Sequence, residues 1–69
     1  MRPMQITVNG EAREVPAGAT ISTLLELLAL PGTRVAVESN KVLVRRLQHT
    51  THLLQDGDEV EIVTLVGGG

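Results

Sequence analysis

The chain has no cysteine, phenylalanine, tyrosine or tryptophan among its 69 residues. Without cysteine, neither a disulfide nor a thiolate zinc site can brace so small a domain, and no thiol nucleophile is present. Without aromatic rings, the usual platform for stacking nucleic-acid bases is gone. Basic side chains are outnumbered six to eight, for a formal net charge of −2. A sequence-independent nucleic-acid binder needs the opposite balance to displace counterions. No apolar run approaches the roughly 18–20 residues that span a bilayer. The opening Met1-Arg2-Pro3-Met4-Gln5 has no apolar signal-peptide core. These absences point to a soluble, cytoplasmic protein that engages neither nucleic acid nor membrane.

What is present is aliphatic. Sixty-nine residues make one domain near the lower size limit for a self-sufficient core. Branched aliphatics pack densely in defined rotamers, so a small β-rich core is feasible without rings.

Met4, Ile6 and Val8 alternate with Gln5 and Thr7, the period of a half-buried strand. Asn9-Gly10 follows, the preferred pair for a type I′ hairpin turn, and Glu11 to Val15 returns as a second strand until Pro16. Thr20 reads as a helix N-cap. Ile21, Leu24, Leu25 and Leu28 then form one apolar stripe, widened by Leu27 and Leu30, with Pro31-Gly32 as terminator. Arg34–Glu38 predicts a strand, Ser39-Asn40-Lys41 a turn, and Val42–Val44 a short edge strand. Arg45 to Leu54 has no clean period and predicts a loop with a helical turn. After the tight turn Asp56-Gly57-Asp58 comes a last strand. It has Val60, Ile62, Thr64 and Val66 on one face and Glu61, Val63 and Leu65 on the other.

One helix covers only one face of a sheet, so this order predicts an α+β fold in two layers. Hairpin, helix, strand, strand is the order of a β-grasp: a mixed four- to five-stranded sheet with one main helix on one face and the last strand beside the first. The domain is expected over 1–66, with a flexible glycine tail over 67–69. Val63 and Leu65 then fall on the open face, where an apolar patch on a small domain marks a partner surface.

Gly67-Gly68-Gly69 adds nothing to a core, because glycine brings no side chain and loses most freedom on ordering. As a terminus the triplet is either a frayed end or a thin thread, carrying a carboxylate, that enters a narrow slot in a partner. Other candidates weigh less. His49 and His52, three apart, could pair on a metal, but no cysteine or third fixed ligand accompanies them, and they read as solvated loop residues. Arg45-Arg46 fits either a solvated pair or a patch for phosphate or an acidic partner. Asp56-Gly57-Asp58 lacks the distal glutamate of a calcium loop. No nucleophile–base constellation is visible, so no catalysis is expected of this chain alone.

The residues also form an ordered set of motifs. They are Met4-Gln5-Ile6-Thr7-Val8-Asn9-Gly10, Thr20-Ile21 with Leu24-Leu25, and Val35-Ala36-Val37 followed by Asn40. Next come Val44 before Arg46, Leu54-Gln55-Asp56-Gly57-Asp58, Val60-Glu61-Ile62-Val63 and Gly68-Gly69. The set resembles the ThiS family, the thiamin-biosynthesis sulfur carriers of the ubiquitin-like ThiS/MoaD group, over essentially the whole length beyond residue 3. Arg45 stands where that family often has proline, and Gly67 adds a third glycine.

The resemblance implies a carrier whose Gly69 carboxylate is adenylated by a ThiF-like activating enzyme using ATP and Mg²⁺. A persulfide protein then supplies sulfur, and the resulting thiocarboxylate serves thiazole synthase (ThiG). It further implies that Gly67 and Gly68 thread the tail, that Arg46 joins Val63 and Leu65 as partner surface, and that the chain itself binds no cofactor or metal. Two alternatives remain: a carrier of the molybdopterin-synthase small-subunit type, and a β-grasp interaction or conjugation module without sulfur chemistry.

Overall fold

The computed structural model describes residues 2–65. Val66 and the tail Gly67, Gly68 and Gly69 lie outside the described residues. The elements run β1 (Met4–Val8), β2 (Glu11–Val15), α1 (Ile21–Leu27), β3 (Val35–Ser39), β4 (Val42–Val44) and β5 (Glu59–Thr64). Short 3-10 turns at Gly32–Arg34 and Arg46–Gln48 supply the links.

The sheet has five strands in the order β2-β1-β5-β3-β4. β5 is central, parallel to β1 and antiparallel to β3. With α1 on one face, this is the β-grasp arrangement.

Both hairpins use two-residue turns with positive φ at both positions, Asn9 (50°) and Gly10 (84°), then Asn40 (52°) and Lys41 (69°). That is the type I′ geometry matching strand twist. The Asp56-Gly57-Asp58 turn is stitched to β1: the Gln5 N–H donates to Asp56 Oδ1 (2.7 Å) and the Gly57 N–H to the Gln5 carbonyl (2.7 Å). Inward-facing Ile6, Val8, Val15, Val35, Val37, Val44, Val60 and Ile62 meet Ile21, Leu24 and Leu25 of α1 in a single core. Between layers this thin, aliphatic side chains fill the space without rings.

Helix α1 begins as expected and ends early. Thr20 Oγ1 accepts from the Thr23 N–H (3.2 Å), and Thr23 Oγ1 accepts from the Thr20 N–H (3.1 Å), a reciprocal capping box. The His52 and His49 carbonyls accept from the Ile21 and Ser22 N–H groups, so the β4–β5 loop satisfies donors that a helix start leaves over.

The helix was expected to reach Pro31-Gly32, but it ends at Leu27 with Leu28 as C-cap. Ala29 adopts the left-handed conformation at φ 57°. The Leu30 N–H returns to the Leu25 carbonyl and the Ala29 N–H to that of Glu26, the paired bonds of a Schellman motif. Leu27 consequently does not widen the buried stripe. It is 57 % exposed, because it sits off the axis defined by Ile21, Leu24 and Leu25. Arg34 likewise belongs to the preceding 3-10 turn, and β3 starts at Val35.

Glycine normally fills the left-handed C′ position, since a Cβ there crowds the carbonyl. Ala29→Gly should therefore raise stability by about 0.5–1 kcal/mol, seen as a thermal midpoint several degrees higher. A lower midpoint would mean that the alanine methyl packs favourably enough to outweigh its strain.

His49 is the other correction. It is buried rather than solvated, with Nε2 3.2 Å from the Val44 carbonyl. A carbonyl only accepts, so Nε2 carries the proton and the ring pins the loop to β4. No described helix is long and apolar enough to cross a membrane.

Candidate docking face and root of the tail

Alternation along β5 decides what each side of the sheet presents. Val60 and Ile62 point into the core, while Glu59, Glu61, Val63 and Leu65 project from the face opposite α1. Val63 is 60 % exposed and Leu65 is 52 % exposed. Cross-strand register extends this surface. Val63 stands opposite half-buried Ala36, and Glu61 opposite Glu38, whose other neighbour is exposed Leu43. An apolar strip thus lies where β5 leaves the sheet, bordered by two directly opposed carboxylates. Like charges directly opposed at that register are mildly destabilising.

The three residues assigned to a partner surface do not come together. Arg46 lies on the α1 side, lining a groove with Ser22, Leu25, Glu26 and His49, while Val63 and Leu65 face the other way. The glycines of the tail lie outside the described residues. What the structure does describe is their root. β5 is flanked on both sides to Val60, and the Leu65 N–H donates to the Arg34 carbonyl (2.8 Å) beyond the last strand residue.

Among the described residues no cluster of three or more His, Asp or Glu side chains forms a metal site. His49 and His52 are separated in role: His49 turns to Val44, and the His52 carbonyl supports α1. The hydroxyls of Thr20 and Thr23 are engaged with each other and with the helix start. No buried side-chain nitrogen or oxygen among the described residues lacks a partner.

Sequence reasoning missed the two turn asparagines. Asn9 Nδ2 donates to the Ile62 carbonyl (3.1 Å), and its Oδ1 accepts from the Ile62 N–H (2.8 Å). Asn40 Nδ2 donates to Asp58 Oδ1 (3.0 Å), and its Oδ1 accepts from the Glu59 N–H (3.0 Å). Both were legible only as turn formers. A third long-range feature, the buried Asp58 carboxylate, accepts from Asn40 and from the Gln55 N–H (2.8 Å) and so fixes the start of β5.

Comparison with known proteins follows the same span. The family model described as "ThiS family" matches residues 6–69. The sulfur carrier protein ThiS of Escherichia coli is 36% identical over 66 residues, 96% of this chain and 100% of that protein. A thiazole synthase of Magnetococcus marinus is 41% identical over 66 residues, and one of Paramagnetospirillum magneticum 38% identical over 66; each match covers 20% of the longer protein. The chain thus spans about a fifth of the length of these two relatives. The crystal structure of a thiamine biosynthesis protein (ThiS) from Geobacter metallireducens superposes with a TM-score of 0.81 at 32% identity, covering 96% of this chain and 100% of that one.

Proposed function

Because this chain belongs to the ThiS family, we propose that it carries sulfur for thiamin biosynthesis as a thiocarboxylate on Gly69. The observation that carries the reading is that the family match runs through Gly68 and Gly69, the residues the chemistry needs. The open face of β5 supplies a docking strip beside the root of the tail.

A carboxylate is a poor electrophile until its oxygen is turned into a leaving group. In the proposed sequence a Gly69 carboxylate oxygen attacks the α-phosphate of ATP, held with Mg²⁺ by an activating enzyme, and pyrophosphate departs. The terminal sulfur of a protein persulfide then attacks the acyl carbon and displaces AMP. A second thiol cleaves the resulting acyl disulfide and leaves the thiocarboxylate. Glycine suits each step because the acyl carbon must be approached closely, first by phosphate and then by sulfur, and a Cβ at 68 or 69 would obstruct both and narrow the backbone choices. Gly69 is a substrate group, and the catalysts are the partners.

Thiazole synthase is the proposed acceptor. Proteins so named carry a segment similar to this chain within a single polypeptide, an arrangement expected of two parts that work on each other. The same names favour the thiamin route over molybdopterin synthesis.

Incubation of the chain with the activating enzyme, ATP, Mg²⁺ and a persulfide donor should replace one oxygen by sulfur. Intact-mass spectrometry should register the change, and peptide mapping should confine it to the peptide ending in Gly69. An unchanged mass, with a partner shown to be active on another carrier, would reject the reading.

A further inference from the structure

β5 outruns its neighbour. Its parallel pairing with β1 comprises Thr7↔Glu59 and Val8↔Val60, and closes with the Asn9 N–H donating to the Val60 carbonyl (2.9 Å). At Gly10 the chain turns away into β2, while β5 continues to Thr64. At the next rung the Asn9 carboxamide substitutes for backbone. Its Nδ2 and Oδ1 engage the Ile62 carbonyl and N–H at 3.1 and 2.8 Å, the donor–acceptor pair that a peptide unit would otherwise present.

Asn40 holds the opposite flank at the start of β5, but its carboxamide meets the Glu59 N–H and the Asp58 carboxylate, not both backbone groups of one strand residue. Past Ile62 the hairpin side opens into a groove of about 260 Å³, lined by Asn9, Leu28, Leu30, Ile62 and Thr64 among others. Among the described residues Asn9 is the last hold on β5 from that side.

We infer that Asn9 is a positioning residue: by clamping Ile62 it fixes the direction in which β5 delivers residues 66–69 into a partner's adenylation site. This rests on the carrier reading above. A fixed strand end narrows the volume to be searched before a carboxylate attached beyond it meets the nucleotide. Docking depends on Val63 and Leu65, whose side chains point away from the core, so loss of the clamp acts on the chemical step and spares the encounter.

The variant Asn9→Gly tests this, since glycine keeps the positive φ of the turn and removes only the carboxamide. Asn40→Gly is the matched control, with the same substitution, turn type and strand at the opposite end. Adenylation by the activating enzyme is measured against carrier concentration, at a temperature where all three proteins are fully folded. Asn9→Gly should lower kcat roughly tenfold and leave KM within about twofold, whereas Asn40→Gly should leave kcat unchanged whatever it does to the thermal midpoint. A wild-type kcat in Asn9→Gly, or an equal loss in Asn40→Gly, would overturn the assignment.

If the wild-type chain is itself not adenylated, the carrier reading fails and the clamp is judged on the free protein. Backbone ¹⁵N relaxation at residues 63–69 should then show wider motion in Asn9→Gly than in wild type or Asn40→Gly. Equal motion in all three would sink the inference.

Discussion

A chain cut after Gly67 should take up no sulfur, melt where the full chain melts, and still compete with it for the activating enzyme. Loss of loading is complete because the acyl carbon itself is gone. The unchanged melting follows from glycine's lack of any side chain to contribute to the core, so the midpoint should hold to within about 1–2 °C. Competition is expected if the proposed docking strip carries the binding, since Val63 on β5 and Leu65 just beyond it remain exposed. Loading assayed by mass spectrometry, with the truncated chain titrated against the full one, reads all three properties. Sulfur uptake at Gly67 would move the reactive position. Absence of competition would show that the tail supplies the binding and the sheet face does not.

Val63→Asp should give the converse phenotype: a folded carrier with an intact tail that its partner no longer engages. At 60 % exposure, opposite Ala36, the substitution costs the fold no more than about 1 kcal/mol of strand preference. In a complex the same carboxylate would be buried against an apolar partner surface, next to the opposed Glu38 and Glu61. That should weaken binding by about 2–4 kcal/mol, roughly 30- to 1000-fold. Calorimetric titration against the activating enzyme measures the loss, and circular dichroism verifies the fold. A variant that unfolds would place Val63 in the core, and one that binds normally would move the docking surface elsewhere. Truncation and charge insertion thus separate chemistry from recognition along a few consecutive residues.

Local chemistry was readable in the sequence wherever a few adjacent residues decide the outcome. Asn9-Gly10 specified its turn, Thr20 its cap, and the alternation of β5 its two faces, because each depends on backbone preference or periodicity alone. The helix end was not readable, since alanine carries no stop signal. Ala29 is held left-handed by the bonds of Leu30 and Ala29 to the preceding turn, against its own preference. His49 could not be foreseen as buried because its burial comes from a loop folding over α1 and β4. The clamping role of Asn9 joins residues 53 positions apart, so no local pattern contains it. For the candidate face, alternation put Val63 and Leu65 on the open side of the sheet, but only the three-dimensional path puts Arg46 on the other side.

The central position of β5 bears on how the protein is made. Of the five strands it is the last to be translated, yet it sits between β1 and β3 and joins the two halves of the sheet. A chain made only as far as β4 has both hairpins and the helix but lacks Val60 and Ile62, the core residues of the strand that joins the hairpins. Pairing of Thr7 with Glu59 closes a long loop, which makes such contacts slow to form. Folding must therefore await the synthesis of β5. A chain that lacks β5 stays recognisable to proteases as unfolded, and every molecule that reaches the folded state already displays Val63 on its open face.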